Sequence, residues 1–536
     1  MSSILGPLFS GSYGSTQAED ATATATINRP LKTTSGTSMD IDDAIELLGM
    51  GRFQYDILIA AGLCFAADAM EVLLLSFLAV ILHVEWNLSE RQTDSIISVV
   101  FAGAMIGTLI LGPLGDRIGR KPVFTLTAAI IAIFGLGTAF CKTYEWLLVA
   151  RFMVGFGVGG LTVPFDTLAE FVPTSDRGNN LLYIEFFWTA GTLLVPVLAW
   201  YSLAEGSIES WQLFVFLCAI PCVLATILGM IAVPESPRWL LTQGKHEKAV
   251  KILRKAAKRN GKDPFELFPD GVEITQQHSH VSETVWDLFS PKWFRTTFLL
   301  WGAWFGLAFS YFGVIIIVAL VFSSHGEVDV NGEDGSYEFD YGAIFISASS
   351  EIVGLLLVLS TIDTWGRIKT AVVSYIGGGA SCFLLGLLAW YDAPRNVLVT
   401  VAFAARMFMM GASCTTWVST SEILTTDIRA TGHAAANAVA RMGGFIAPYI
   451  ITEGNSIRVI GFIMLLVSLA TAYVSRQLPE TAGMALGQIQ LCGDCYIEED
   501  DSSLEGKVDI GRNKKKAPSS SSSSIKDDES SSYQIL

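Results

Sequence analysis

Two carboxylates three residues apart in an otherwise apolar run, Asp68 and Glu71, are the side chains of this sequence best placed to do chemistry. At that spacing both fall on one face of a helix. An ionised carboxylate in the centre of a bilayer costs about 2.5–3.5 kcal/mol, so the pair implies a wet cavity. Two like charges so close repel, which suits a group that must bind and release a proton. Glu185 and Glu351 are similar single acids in later apolar runs, and Asp166 lies near the end of another. Arg406 and Arg441 are cations able to pair with these acids or to meet an anionic substrate. Trp188, Trp301, Trp304, Tyr311 and Trp417 offer rings that could stack on an aromatic or cationic ligand. The plainer role of each charge is a satisfied pair between helices, and of each ring, packing.

The elements that must position these groups follow from composition. Of 536 residues, 51% are hydrophobic and 16% charged, with a mean hydropathy of +0.47. So few charges could not cover a soluble protein of this size. Stretches of about 20 apolar residues cross a bilayer as helices. Twelve are expected, at 56–82, 93–114, 122–140, 145–169, 180–202, 211–233, 294–322, 341–362, 370–390, 397–420, 431–453 and 457–477. The fold class is an all-α polytopic membrane protein.

A charge pattern divides the twelve into two sixes. Gly112-Pro-Leu-Gly115-Asp116-Arg117-Ile118-Gly119-Arg120-Lys121 returns in degraded form as Asp363-Thr-Trp-Gly366-Arg367-Ile-Lys369. Glu170 and Arg177 return as Glu422 and Arg429, Arg151 as Arg406, and Glu235 as Glu480, at offsets of 252, 255 and 245 residues. Parallel repeats of this kind build one class of secondary transporter. Gly112 and Gly115 are expected to allow close helix approach. Asp116 is expected within reach of Arg120 and Arg151, and Glu170 and Arg177 to bridge neighbouring helices. With Arg117, Gly119, Glu235 and Arg238, these groups would latch the ends of the bundle in one state and release them in the other. The alternative is that they fix topology only.

Residues 235–295 carry eleven Lys and Arg, whereas 323–340 carry none and six acids. Positive loops stay in the cytoplasm, which puts both termini, the linker and the charged turns inside. The expected domains are a disordered cytoplasmic N-terminus (1–50), two six-helix bundles (51–234 and 294–478), a cytoplasmic linker (235–293) and a disordered tail (479–536). His246–Lys258 reads as a helix bracing the two bundles. No basic region precedes an apolar one at the start, so no cleaved signal is expected. Asp43–Leu48 and Tyr533–Leu536 resemble sorting signals, the latter a possible adaptor site, although Asp43–Leu48 also suits the start of an amphipathic helix. Asn87-Leu88-Ser89 is a glycosylation sequon close to the membrane. The cysteines suggest no disulfide framework; six lie in or beside apolar runs, and Cys492 and Cys495 are a lone pair. No phosphate-binding loop, metal cluster, cofactor site or nucleic-acid patch is present, and Gly155-Phe-Gly157-Val-Gly159-Gly160 reads as helix packing rather than a dinucleotide site. The chain is therefore not expected to be an enzyme.

The Gly112–Lys121 run resembles the signature loop of the major facilitator superfamily. Arg151-Phe-Met-Val-Gly155-Phe-Gly157, Glu170 with Arg177-Gly178, Pro234-Glu235-Ser236-Pro237-Arg238 and Pro479-Glu480-Thr481 are similar to its sugar-porter-like and organic-ion branches. Within it the chain is most similar to the branch of synaptic-vesicle-related and niacin transporters. Gly51-Arg-Phe-Gln54, Asp68-Ala-Met-Glu71, Ile184-Glu185-Phe-Phe-Trp188 and Ala308-Phe-Ser-Tyr311 carry that likeness. It departs at Leu307, where that branch usually has Asn, at Phe312 for a second Tyr, and at Glu351-Ile-Val-Gly354 for Glu-x-Pro-Gly.

The resemblance implies a monomeric carrier of a nicotinate-like or other aromatic carboxylate, driven by a proton gradient and needing no cofactor. An organic cation or sugar carrier of the same fold, or a non-transporting vesicle, sensor or scaffold protein, are the alternatives. Asp68, Glu71, Glu185, Glu351, Arg406 and Tyr311 are the expected substrate and proton groups. The membrane is expected to be the plasma membrane or that of a vesicle or vacuole.

Overall fold

The computed structural model describes residues 38–173, 177–203, 211–276, 285–324, 338–424, 426–452 and 455–482. The first six long helices are α1 (Arg52–Glu85), α2 (Glu90–Ile118), α3 (Arg120–Thr138), α4 (Tyr144–Ala169, broken at Gly160–Leu161), α5 (Arg177–Leu203) and α6 (Trp211–Ile231). The second six are α7 (Phe294–Val321), α8 (Tyr341–Trp365), α9 (Arg367–Trp390), α10 (Arg395–Ile423), α11 (Thr426–Thr452) and α12 (Ile457–Arg476). Eleven described helices are long and apolar enough to cross a membrane. The remaining expected segment, 431–453, forms α11, which is not among those eleven and carries His433, Asn437 and Arg441.

The pairing of helices repeats between halves. In the first, α2 packs on α4, α1 on α5, and α3 on α4 and α6; in the second, α8 packs on α10, α7 on α11, and α9 on α10 and α12. The halves meet mainly along α2 with α11 and α5 with α8, again equivalent pairs. The described charged turns and linker lie at one end, called here the linker end; the loop end is opposite. At the loop end Ser98 donates to the Phe445 carbonyl at 2.9 Å and Phe101 meets Phe312 at 4.6 Å between ring centres. Toward the linker end Phe165 meets Trp417 at 5.9 Å.

The α2–α4 contact depends on glycine. A Cβ at Gly155 would run into the Val100 carbonyl and one at Gly159 into that of Ala104. Gly115 sits against Val163, but a Cβ at Gly112 would meet nothing closer than 3.9 Å. The close approach expected at Gly112 is therefore absent: a Cβ there would make only ordinary contact with the Thr162 hydroxyl.

The expectation that 1–50 is disordered fails for residues 38–50. Ser38–Asp40 pairs in parallel with Glu273–Thr275, and Ile41–Leu48 is a helix. Ile41, Ala44, Ile45 and Leu48 bury against Ala249, Leu253, Ala256 and Ala257 of the linker helix His246–Arg259, an apolar face that disorder would leave in water. The sorting-like Asp43–Leu48 is thus folded, with Leu48 buried. Arg238 pairs with Asp42 at 2.5 Å, and Asn260 accepts from the Phe53 amide at 2.9 Å. The linker helix accordingly braces this N-terminal arm and α1; the expected brace across both halves is not what these contacts make. Residues 479–482 also leave the expected tail, because Glu480 caps a helix (below). Tyr533–Leu536, Cys492 and Cys495 lie outside the described residues.

Gly155→Val should cost about 1–3 kcal/mol or more by overpacking the α2–α4 contact, whereas Gly112→Ala should be neutral. Thermal unfolding read by a thiol-reactive dye on the buried Cys64, Cys218, Cys222, Cys382 and Cys414 measures both.

Candidate functional site

At the linker end the repeated charges build the same knot twice, each within its own half. Gly119 (φ 110°) and Gly366 (φ 91°) turn the chain into α3 and α9 in a conformation that favours glycine. A Cβ on either would strike the carboxylate that caps the helix behind it. Glu235 accepts from the Arg120 and Lys121 amides at 2.7 and 3.2 Å; Glu480 accepts from those of Arg367 and Ile368 at 2.8 and 3.1 Å. An acid there satisfies orphan amides and opposes the helix dipole. The Arg120 guanidinium gathers Asp116 at 2.9 Å, Glu170 at 3.1 Å and Asp166 at 3.9 Å. Arg367 gathers Asp363 at 2.9 Å and binds Glu422 through two nitrogens at 2.9 and 3.0 Å.

These contacts revise the latch expected from the sequence. Every described pair ties α2, α3 and α4, or α8, α9 and α10, inside one half, so they stiffen each half as a body. Arg117 is exposed, and Arg238 serves the N-terminal arm. The side chains of Arg177 and Arg429 lie outside the described residues. Arg151 does not reach Asp116, because it stands seven residues from the loop end of α4, deep in the bundle.

There Arg151, fully buried, donates to Glu71 at 2.5 Å and to the Thr138 hydroxyl at 3.1 Å. Its counterpart Arg406, 1% exposed, donates to Glu351 at 2.7 Å. The repeat thus supplies one buried arginine per half, but their acids come from non-equivalent helices, α1 and α8. Arg151–Glu71 is closed within its half. Glu351 instead ties the halves together: it accepts from Tyr311 of α7 at 3.1 Å and from Thr192 of α5 at 3.0 Å. Tyr311 in turn accepts from the Trp188 indole of α5 at 2.7 Å. Asp68 makes a second link, lying 4.0 Å from Arg441 of α11.

The expected acid pair therefore divides. Glu71 turns into its own half and Asp68 toward the other, each with an arginine. Glu185 is half-buried on the α5 face that carries Trp188 and Thr192, at i, i+3 and i+7. Thr192 and Thr138 are site residues the sequence reading missed; the i+7 spacing from Glu185 would have found Thr192. Trp304 donates to Thr420 and packs with Trp417 and His433 at 4.9 and 5.2 Å, while Trp301 belongs to a cluster with Phe289 and Phe298. Of the five rings, Trp188 and Tyr311 join the ion network. Two nitrogens of Arg406, Nε and Nη1, and Nη2 of Arg151 have no protein acceptor among the described residues.

At the loop end Asp340 caps α8 through the Ala343 amide at 2.9 Å and binds Arg395 through two contacts, one at 2.8 Å. The Arg395 hydrogen bond holds the Asp340 carboxyl below the usual carboxylate range. A lowered folded value means the clasp is fully formed above the ordinary value of about 3.9 and is lost only as pH falls below it. It is not the pH switch of a mildly acidic compartment.

A two-bundle helical fold with paired ions buried between its halves defines a transporter of the major facilitator type, an integral multi-pass membrane protein and not an enzyme. The family model described as "Sugar (and other) transporter" matches residues 25–491, and the chain belongs to that family. It is 33% identical to the synaptic vesicle 2-related protein of Xenopus laevis, over 81% of this chain and 78% of that one. It is 31% identical to organic cation/carnitine transporter 7 of Arabidopsis thaliana, over 77% and 88%. Among solved structures it shares the fold of the xylose transporter XylE from E. coli in a partially occluded inward-open conformation. That match has a TM-score of 0.62 at 21% identity, covering 81% of this chain and all of the other.

Glu71→Leu strands Arg151 and should cost about 3–5 kcal/mol, whereas Glu71→Leu with Arg151→Met should recover most of it. Thermal unfolding of the three proteins tests this. The stability gap between wild type and Arg395→Gln should be the same at pH 7 and pH 5 and close only below about pH 4.

Proposed function

We propose that the protein moves a small organic ion by proton-coupled alternating access, and that the ion is an aromatic carboxylate of the nicotinate type. The observation that supports this most is the bridge at Glu351. One carboxylate holds a buried arginine of its own half and two donors that lead to the other half. Arg406, held by Glu351 at one nitrogen, leaves the acceptor place at two others open among the described residues. A substrate carboxylate can take that place, with the Trp188 and Tyr311 rings beside it for an aromatic body. Leaving buried donors unsatisfied costs about 1–3 kcal/mol, so an acceptor there is favoured. The stiff halves then rock about the bridge while the knots at Arg120 and Arg367 stay intact.

A second reading, an organic cation, draws on Glu185, for which no arginine is in reach among the described residues, and on the name of the Arabidopsis relative. The excess of positive charge in the linker favours the linker end as cytoplasmic, with both termini there. A monomer in the plasma membrane or a vesicle membrane fits this carrier.

Uptake into proteoliposomes under an inward proton gradient, with labelled nicotinate, benzoate, choline and glucose, decides among these. The proposal expects carboxylate uptake that a protonophore abolishes and that Arg406→Gln lowers at least tenfold. Choline uptake would establish the second reading, and binding without uptake a scaffold.

A further inference from the structure

The acids in the middle of the bundle outnumber the cations. Glu71 faces Arg151, Glu351 faces Arg406, and Asp68 faces Arg441. Three arginines serve four carboxylates, and the one left over is Glu185. Among the described residues it makes no ion pair, and its nearest charged influence is the acid Glu351 across the α5–α8 contact. An uncompensated carboxylate is expensive in a low-dielectric interior, the more so beside a like charge. An ion-paired carboxylate, by contrast, keeps its charge because its arginine would be stranded without it.

We propose that Glu185 carries the transported proton. The inference rests on the proton-coupled reading above and assigns the coupling to an acid other than the Asp68 and Glu71 pair. The geometry suits it. Glu185 is half-buried on the face of α5 turned to the second half, so water from whichever end is open can reach it. Three residues on, Trp188 bonds Tyr311, and seven residues on, Thr192 bonds Glu351. The charge on Glu185 therefore bears on the helix that links the halves. The titratable groups that bear on it are Glu351 from α8 and Cys414 from α10, which also feels Glu351; Tyr311 from α7 and Arg406 from α10 are bonded to Glu351. In the loaded state the carboxyl oxygen holds a proton taken from water on one side, the interior is electrically balanced, and the halves can move. Return of that proton to water on the other side restores the carboxylate.

The test has two parts on the full chain in proteoliposomes. Infrared difference spectra over a pH titration read protonated carboxyl groups without any substrate. Wild type should show a protonated-carboxyl C=O band that grows as the pH is lowered and is missing in Glu185→Gln. A band that persists in that variant overturns the proposal. Radiolabelled nicotinate then separates coupling from binding. Glu185→Gln should lose proton-driven accumulation more than tenfold while keeping nicotinate exchange between equal pools. Retained accumulation, or exchange lost with accumulation, overturns the assignment; the latter would make Glu185 part of the substrate seat. Wild type that shows the band but accumulates no nicotinate sinks the nicotinate reading and leaves Glu185 as the group that takes up the proton. If Glu185→Gln does not reconstitute, Glu185→Asp keeps the carboxylate on a shorter arm and should shift the pH dependence of the band; an unshifted band overturns the proposal.

Discussion

A guanidinium cannot sit in the middle of an apolar bundle without a carboxylate beside it, and this constraint governs the structure. Arg151 and Arg406 are among the largest side chains buried here, and neither can reach water. Each must be met by an acid on another helix, which fixes α1 against α4 and α8 against α10. The acids would cost as much alone. Once the pairs exist, the remaining packing can be made of small and apolar residues, as at Gly155 and Gly159.

The two halves answer the same constraint differently, and function lies in the difference. At the linker end the copies agree down to individual contacts: Glu235 and Glu480 cap equivalent helices, and Arg120 and Arg367 collect equivalent acids. Such repetition makes two stiff bodies. In the middle the symmetry ends. Arg151 finds Glu71 on α1 and is sealed within its half. Arg406 finds Glu351 on α8, which faces α5 of the other half and is shared with Thr192 and Tyr311. A charge held inside one body stabilises it; a charge shared between two bodies makes their relation depend on what that charge binds.

Much of this was legible in the sequence, because apolar length, repeat offsets and intramembrane charge each have a direct physical reading. The helices, the duplication and the choice of Arg406, Glu351 and Tyr311 came from there. Partnership did not. Asp68 and Glu71 sit three apart, yet each follows a different arginine, and no linear pattern names a partner 80 residues away. The knots looked like a latch because their charges recur, but only distances show that each closes on its own half. Shortness hid the arm before α1: Ile41, Ala44, Ile45 and Leu48 recur at helical spacing, but a helix of eight residues is stable only because the linker helix covers it.

The central claim is that the bridge at Glu351, with Glu185 beside it on α5, makes the arrangement of the two halves depend on protonation of Glu185. Spin labels at Lys142→Cys and Asp392→Cys, one in each half at the loop end, report that arrangement by pulsed electron–electron distance measurement in liposomes. The account predicts two distance populations whose balance shifts between alkaline and acid pH, with Glu185→Gln held in the acid pattern at every pH. A single distance that neither pH nor Glu185→Gln alters would contradict it.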